Sequence, residues 1–364
     1  MSDNSNAPLG AAPSGATPAS AATLGGTTAK KAAAPSYLLA SSPHFASPVN
    51  SAALMRNMLI ALTPTAAFGV VIFGLPALLN ILVSVLAAIA GEALFRLVTK
   101  QQVRIKDLSA GVTGLLLALV IPPSTPLWMT ALGAIFAVVV AKEFFGGLGA
   151  NVFNPALIGR AFLLMSFPAA MTTWNLPEQG FVKSLTDVVT GATPLAYLKS
   201  GEAIDALTQA SITVPSKLTL FLGVRGGCIG ETSIFLILVG GFFLLVTKTI
   251  DWRAPVGMLA AAVIVSIPLG YGPTTTLLTG GLVFGAVFMA TDYVTAPITA
   301  KGKLIFGIGA GIISVLIRKW GTYPEGVSYA ILIMNGAVPF LNKLLPKKYG
   351  FVAPKKPADK GAAK

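Results

Sequence analysis

The sequence predicts an all-α polytopic membrane protein. Hydrophobic residues make up 54% of the chain and charged residues only 11%, and apolar runs near the length of a bilayer crossing recur from about residue 57 to residue 345. These runs lack the alternation of barrel strands. Each must satisfy its own backbone hydrogen bonds in the lipid bilayer, so helices are the expected element.

Taken in order, residues 1–36 are Ala, Ser, Thr, Pro and Gly with almost no large apolar side chain, which predicts a disordered cytoplasmic tail. A basic n-region followed by an apolar h-region is absent there, so no secretory signal is expected. The membrane domain is placed at 37–348, with a short basic cytoplasmic tail at 349–364. Its first half, about 57–170, holds predicted spans at 57–74, 76–98, 107–121, 125–141 and 155–170. A long extracytoplasmic loop covers about 171–231. The second half, about 232–345, holds spans at 232–249, 254–271, 274–291, 303–317 and 326–345.

The formal charge of +13 reads as loop and tail cations that set orientation, and no nucleic-acid role is expected. With both termini inside, the inner segments collect Arg56, Arg96, Lys100, Arg104, Lys106, Lys142, Lys248, Arg253, Lys301 and Lys303. The outer side takes Lys183, Lys199, Lys217, Arg225, Arg318 and Lys319, of which Arg318 and Lys319 sit against the rule. Five spans on each side of the loop give two inverted repeats. "GVTGLLL" and "LLTGGLVFG" mark the third span of each half, and "FNPAL" and "YPEGV" follow about 40 residues later. The third span is short and the eighth carries Gly280 and Gly281 in its middle, so both are expected to be broken helices facing a cavity.

One motif in the loop carries chemistry. "DVVTGAT" places Asp187 ahead of Thr190, Gly191, Ala192 and Thr193. It resembles the flavinylation motif Asp-x-x-Ser/Thr-Gly-Ala-Thr/Ser, read by an exported transferase that moves FMN from FAD onto a threonine as a phosphoester. A hydroxyl is the acceptor, Gly and Ala keep the backbone thin enough to enter another enzyme, and the acid gives register. Left to itself the segment reads as a turn before Pro194. The tail copy, "SGATP" at 14–18, has Ala11 where the acid belongs and lies on the other side, so it is coincidence.

Further motifs widen the likeness: "SSPH" at 41–44, "FGGLGANVFNPALIGRAFL" from Phe145 to Leu163, "GGCIGETS" at 226–233 and "FMATDYVTAP" at 288–297. Together they resemble the family of the D component of the Rnf ion-translocating ferredoxin:NAD oxidoreductase, related to the B component of the sodium-translocating NADH:quinone oxidoreductase. The resemblance implies a membrane electron carrier with covalent FMN and, in relatives, a non-covalent riboflavin. It also implies partner subunits, including a second covalently flavinylated one, and a shared binding site that brings Thr113, Asn154 and Asp292 together. Cys228 stands where relatives commonly have Ser. As the one cysteine it excludes an internal disulfide and cannot alone hold zinc or an iron–sulfur cluster, so no metal is expected, and buried it reads as a small apolar filler.

Charges within spans cost about 2.5–3.5 kcal/mol at a helix centre, so each needs a reason. Asp292 either caps a loop or meets a flavin or partner. Arg160 meets a flavin phosphate, a ring oxygen or a carboxylate such as Glu143. Glu92 and Arg96, four apart, make an intrahelical ion pair. His44 before the first span reads as structural, and the GxxxG pairs Gly281/Gly285 and Gly307/Gly311 as close helix packing. "GGLGA" from Gly146 lacks the strand, helix and Lys-Ser/Thr of a phosphate loop. A passive inverted-repeat channel is the competing class, and it has no use for an extracytoplasmic "DVVTGAT".

Overall fold

Helices occupy every predicted run, and their ends are set by capping residues at the borders of the runs. This computed structural model describes residues 50–103, 105–174, 217–223, 226–321 and 325–344, and no strand occurs among them. Helix α1 (Ser51–Phe73) starts ahead of its apolar run because the Asn50 side chain accepts from Ala53 N at 2.8 Å. Gly74, with φ 69°, ends it, and Pro76 sits in the first turn of α2 (Leu75–Val98). The first half continues with α3 (Ser109–Leu119), α4 (Leu127–Val139), α5 (Pro155–Ser166) and the short α6 (Pro168–Met171). Next come α7 (Lys217–Leu222), α8 (Ile234–Val246), α9 (Arg253–Ser266), α10 (Pro273–Leu278) and α11 (Leu282–Phe284), which runs into a π-helical turn at Gly285–Met289. The described fold closes with α12 (Ala300–Trp320) and α13 (Val327–Leu341).

Four segments are long and apolar enough to cross a bilayer: α1, α2, α12, and α4 extended to Phe145. Helices α3, α5, α8, α9 and α13 are apolar but shorter. Polarity runs outside-in. Val71 is 74% exposed and Phe242 70%, while Asn80, Ser84, Thr130 and Asn335 are buried. That arrangement suits lipid around the helices and marks a membrane protein.

The third and eighth runs are interrupted for different local reasons. Helix α3 stops at Leu119, and in an apolar surrounding its last carbonyls need partners. The "GGCIGETS" segment supplies them: Gly230 N donates to Leu119 O at 2.7 Å, Ile229 N to Ile121 O at 3.3 Å, and the Cys228 thiol to Val120 O at 3.1 Å. A Cβ at Gly230 would lie 2.6 Å from that of Leu119, so glycine is required by the approach. In the eighth run the chain leaves the helix at Thr279 and turns through Gly280 at φ 66°. Arg318 of α12 donates to the carbonyls of Thr276 and Thr279 at 3.0 and 3.1 Å. Arg318 was expected among the outer loop charges; it is instead buried, because the broken helix holds carbonyls that only a long donor can reach.

Packing follows the same order in each half. α2 packs on α3 and α4, and α9 packs on α10 and α12; the first helices of the halves, α1 and α8, meet, as do the fifth, α5 and α13. Gly307 and Gly311 let α12 lie against the α9 backbone, where a Cβ would meet Ala254 O and Met258 O. Of the other pair, Gly285 faces Val327, whereas Gly281 makes room for the Glu231 carboxylate rather than for a helix.

Candidate functional site

Thr113, Asn154 and Asp292 line one cavity, from α3, the N-terminus of α5 and the turn after the π-helical segment. The enclosed space there is small, about 50 Å³. Each side chain is held by its own element. The Thr113 hydroxyl donates to Ser109 O at 3.0 Å, which leaves its lone pairs facing the cavity. Asn154 caps α5, its Oδ1 accepting from Ala156 N at 3.1 Å and Leu157 N at 3.4 Å, so its NH₂ is the group left to donate. Asp292 accepts from the Thr295 hydroxyl at 2.8 Å, a loop hydrogen bond of the kind that was one of the two roles open to it. Asn335 of α13 ties the wall together: with its amide turned to suit both neighbours, it donates to Thr295 O at 3.3 Å and accepts from Asn154 N at 3.2 Å. Sequence reading missed Asn335, although a lone amide inside "ILIMNGAVPF" was the available signal.

Beside the cavity lies a four-charge cluster. Arg96 forks onto Glu143 at 3.0 and 3.2 Å and reaches Glu92 at 3.2 Å, the expected i,i+4 pair. The Lys142 ammonium bonds Glu92 at 2.8 Å and the Ser109 hydroxyl at 2.6 Å, and its chain lines the cavity. Lys142 was expected among the inner-loop charges, and Arg96 there too but paired with Glu92. Both are buried, because Glu92 and Glu143 bury with them and Coulomb attraction in a poor dielectric holds the four together.

Arg160 sits elsewhere. It bonds the Glu325 carboxylate and, at 2.5 Å, the Ser328 hydroxyl, with the Cys228 sulfur 3.9 Å away. The suggested carboxylate partner, Glu143, belongs to Arg96, because Arg160 points across α5 towards the start of α13. Cys228 is fully buried, and it is a hydrogen-bond donor to Val120 O as well as a filler. Ligand atoms of Cys228, Glu231 and Glu325 lie within 4.8 Å of one another, a spacing open to a metal ion, and the guanidinium of Arg160 is the cation among them. Thr193, Asp187, Thr190, Gly191, Ala192 and His44 lie outside the described residues.

The cavity combines apolar walls with a few polar groups. Met55, Met58, Val112, Leu116 and Phe288 supply apolar walls. The Asn154 NH₂ and the Thr113 oxygen offer one donor and one acceptor there. If Asp292 serves this site, Asp292→Asn should lower non-covalent flavin content or electron transfer several-fold and leave covalent FMN unchanged. Flavin extraction and turnover at wild-type levels in that variant would return Asp292 to a purely structural role.

Comparison with known proteins identifies the family of the chain. The profile of the NQR2, RnfD, RnfE family matches residues 38–350. The D component of the Na⁺-translocating ferredoxin:NAD⁺ oxidoreductase complex of Acetobacterium woodii is 43% identical over 324 residues, 88% of this chain and 97% of the relative. The D component of the proton-translocating complex of Clostridium ljungdahlii is also 43% identical, over 86% of this chain and 96% of the relative. The D component of an ion-translocating oxidoreductase complex from Stutzerimonas stutzeri is 39% identical over 333 residues, 84% of this chain and 93% of the relative. By profile, identity and coverage, the chain belongs to the NQR2, RnfD, RnfE family.

Proposed function

We propose that this chain is the flavin-carrying membrane component of a complex that couples ferredoxin:NAD electron transfer to sodium or proton transport. FMN is carried as a phosphoester on Thr193, and riboflavin is held without a covalent bond in the cavity of Thr113, Asn154 and Asp292. The observation that carries this reading is "DVVTGAT" in a chain of this family. The names of the relatives favour the ferredoxin complex over the quinone reductase. They divide between sodium and proton at equal identity, so the proposal keeps both ions. Ten crossings in two inverted halves agree with the repeated packing order, in which the second segment packs on the third and fourth of the first half and on the corresponding segments of the second. On that topology both termini face the cytoplasm, the Thr193 loop lies outside the bacterial inner membrane, and the remaining subunits, a second flavinylated one among them, surround the domain.

A bound flavin supplies one- and two-electron chemistry. This chain's residues place it: Asn154 and Thr113 orient the ring, the apolar walls exclude water, and the buried charges fix α2, α3 and α4 around it. Attachment at Thr193 forms a bond from its Oγ to the FMN phosphorus of FAD, breaks the P–O bond to AMP, and sends the hydroxyl proton to base. Co-expression with the exported transferase should therefore give a band that fluoresces in a denaturing gel and gains the mass of FMN less water. An unmodified intact mass beside a labelled control substrate would defeat the flavin reading and favour the passive channel.

A further inference from the structure

The turn between α8 and α9, the turn after the π-helical segment and the first turn of α12 enclose a second cavity, of about 220 Å³. A water claims about 30 Å³ of liquid, so this space admits a group of several polar atoms. Thr249, Asp251, Thr291, Asp292, Ala296 and Lys303 are in its wall. Asp251 meets Arg253 at 2.9 Å and Lys303 at 3.3 Å, so two partly exposed cations share one carboxylate. Partial burial alone would raise the Asp251 carboxyl; the Arg253 N–H, Lys303 and the Arg253 side chain outweigh it and hold it below the usual range, so it is ionised at neutral pH. Exposed Lys248 and Lys301 add two more cations at the same helix ends, which keeps this edge positive even against the Asp292 carboxyl. Helices α9 and α12 lie parallel, since a Cβ at Gly307 would meet Ala254 and one at Gly311 would meet Met258. Their positive dipole ends therefore add here, yet their first turns carry Arg253, Lys301 and Lys303 and no acid. Apolar side chains stand open beside these charges: Trp252, Val256 and Ile298 are exposed, and the Arg253 guanidinium lies 5.4 Å from the Trp252 ring.

We infer that this cavity binds the headgroup of an anionic phospholipid, phosphatidylglycerol, with the phosphate against Lys303 and Arg253 at the mouth and the glycerol inside. Charge decides between headgroups. A phosphate of net charge −1 neutralises the cation that Asp251 leaves over, whereas a zwitterionic headgroup brings its own ammonium to an edge already crowded with cations. The interior suits hydroxyl groups. Thr291 donates its own proton to Val287 O at 2.6 Å, so its lone pairs and the Asp292 oxygens are left to accept from the glycerol. Acyl chains then run along Trp252, Val256 and Ile298, where the surface is apolar. Nothing in this site depends on what the Thr113 cavity holds.

The test is native mass spectrometry of the full chain released from micelles that hold equal amounts of phosphatidylglycerol and phosphatidylethanolamine. Wild-type protein should retain phosphatidylglycerol at least about fivefold over phosphatidylethanolamine, the factor associated with one cation at an anionic membrane surface. Lys303→Gln should remove most of that ratio. Ala296→Leu, which fills the cavity and leaves every charge in place, should lower it as well and guards against misfolding of the first variant. Lys100→Gln, at an exposed lysine beyond the end of α2, should leave it unchanged. Equal retention of the two lipids by wild-type protein, or an unchanged ratio in both cavity variants, overturns the site. An equal fall in Lys100→Gln would reduce the preference to overall charge and overturn it too. Release of the lipid by millimolar inorganic phosphate would make the occupant a free anion and sink the lipid assignment.

Discussion

Thr193→Ala is expected to abolish covalent flavin completely, because the phosphoester has no other oxygen to form on at that position. Thr193→Ser keeps a hydroxyl and should retain part of the label, reduced to the extent that the transferase uses the threonine methyl. Thr190→Ala should do less than Thr193→Ala, since that position supplies context and not the acceptor. Asp187→Ala should lower labelling by weakening recognition. Gel fluorescence of the four variants, each co-expressed with the transferase, gives the ranking directly. Full fluorescence in Thr193→Ala would place the attachment on another residue, whereas a dark gel throughout, with a working transferase control, would leave the electron-carrier reading without its main support.

The second large effect is expected in the buried charge cluster. Lys142→Met removes one of two cations and leaves Glu92, Glu143 and Arg96 with an uncompensated negative charge among buried side chains. Breaking such a buried set costs about 3–5 kcal/mol, on the order of 10 °C in melting temperature for a domain of this size. The Ser109 hydroxyl also loses its 2.6 Å partner at the start of α3, so the loss should reach the cavity wall. Pairing the change with Glu92→Gln restores neutrality and should recover more than half of the loss. Thermal melting of the detergent-solubilised wild type, single variant and double variant is the check. Coincident melting of Lys142→Met and wild type would show that the cluster does not hold the fold.

Hydropathy and capping residues made the helices legible because both are local properties. The Asn-Pro pair at 154–155 and the Gly pair at 280–281 mark a helix start and a helix break without help from the rest of the chain. Charge partners were not legible in the same way. Lys142 follows an apolar run and reads as a loop lysine, yet it meets Glu92 from a helix 50 residues earlier. Arg160 finds Glu325 at a separation of 165 residues, for which no sequence spacing is diagnostic. The cavity was half legible: Thr113, Asn154 and Asp292 came from family likeness, while Asn335, which ties two of them together, looked like an ordinary residue in a span.

The neutrality of the four-charge cluster bears on how the cavity responds to its surroundings. Two acids and two bases cancel as a monopole, so at the cavity they act only through dipoles, whose field decays faster with distance than that of a net charge. Lys142 therefore stiffens the wall while the cluster adds no long-range field to it. Among the described residues, the carboxyl that lines the space is Asp292, which is held by the Thr295 hydroxyl. Whatever charge the wall presents beyond the neutral cluster therefore sits on one oxygen pair, at the turn that closes the π-helical segment.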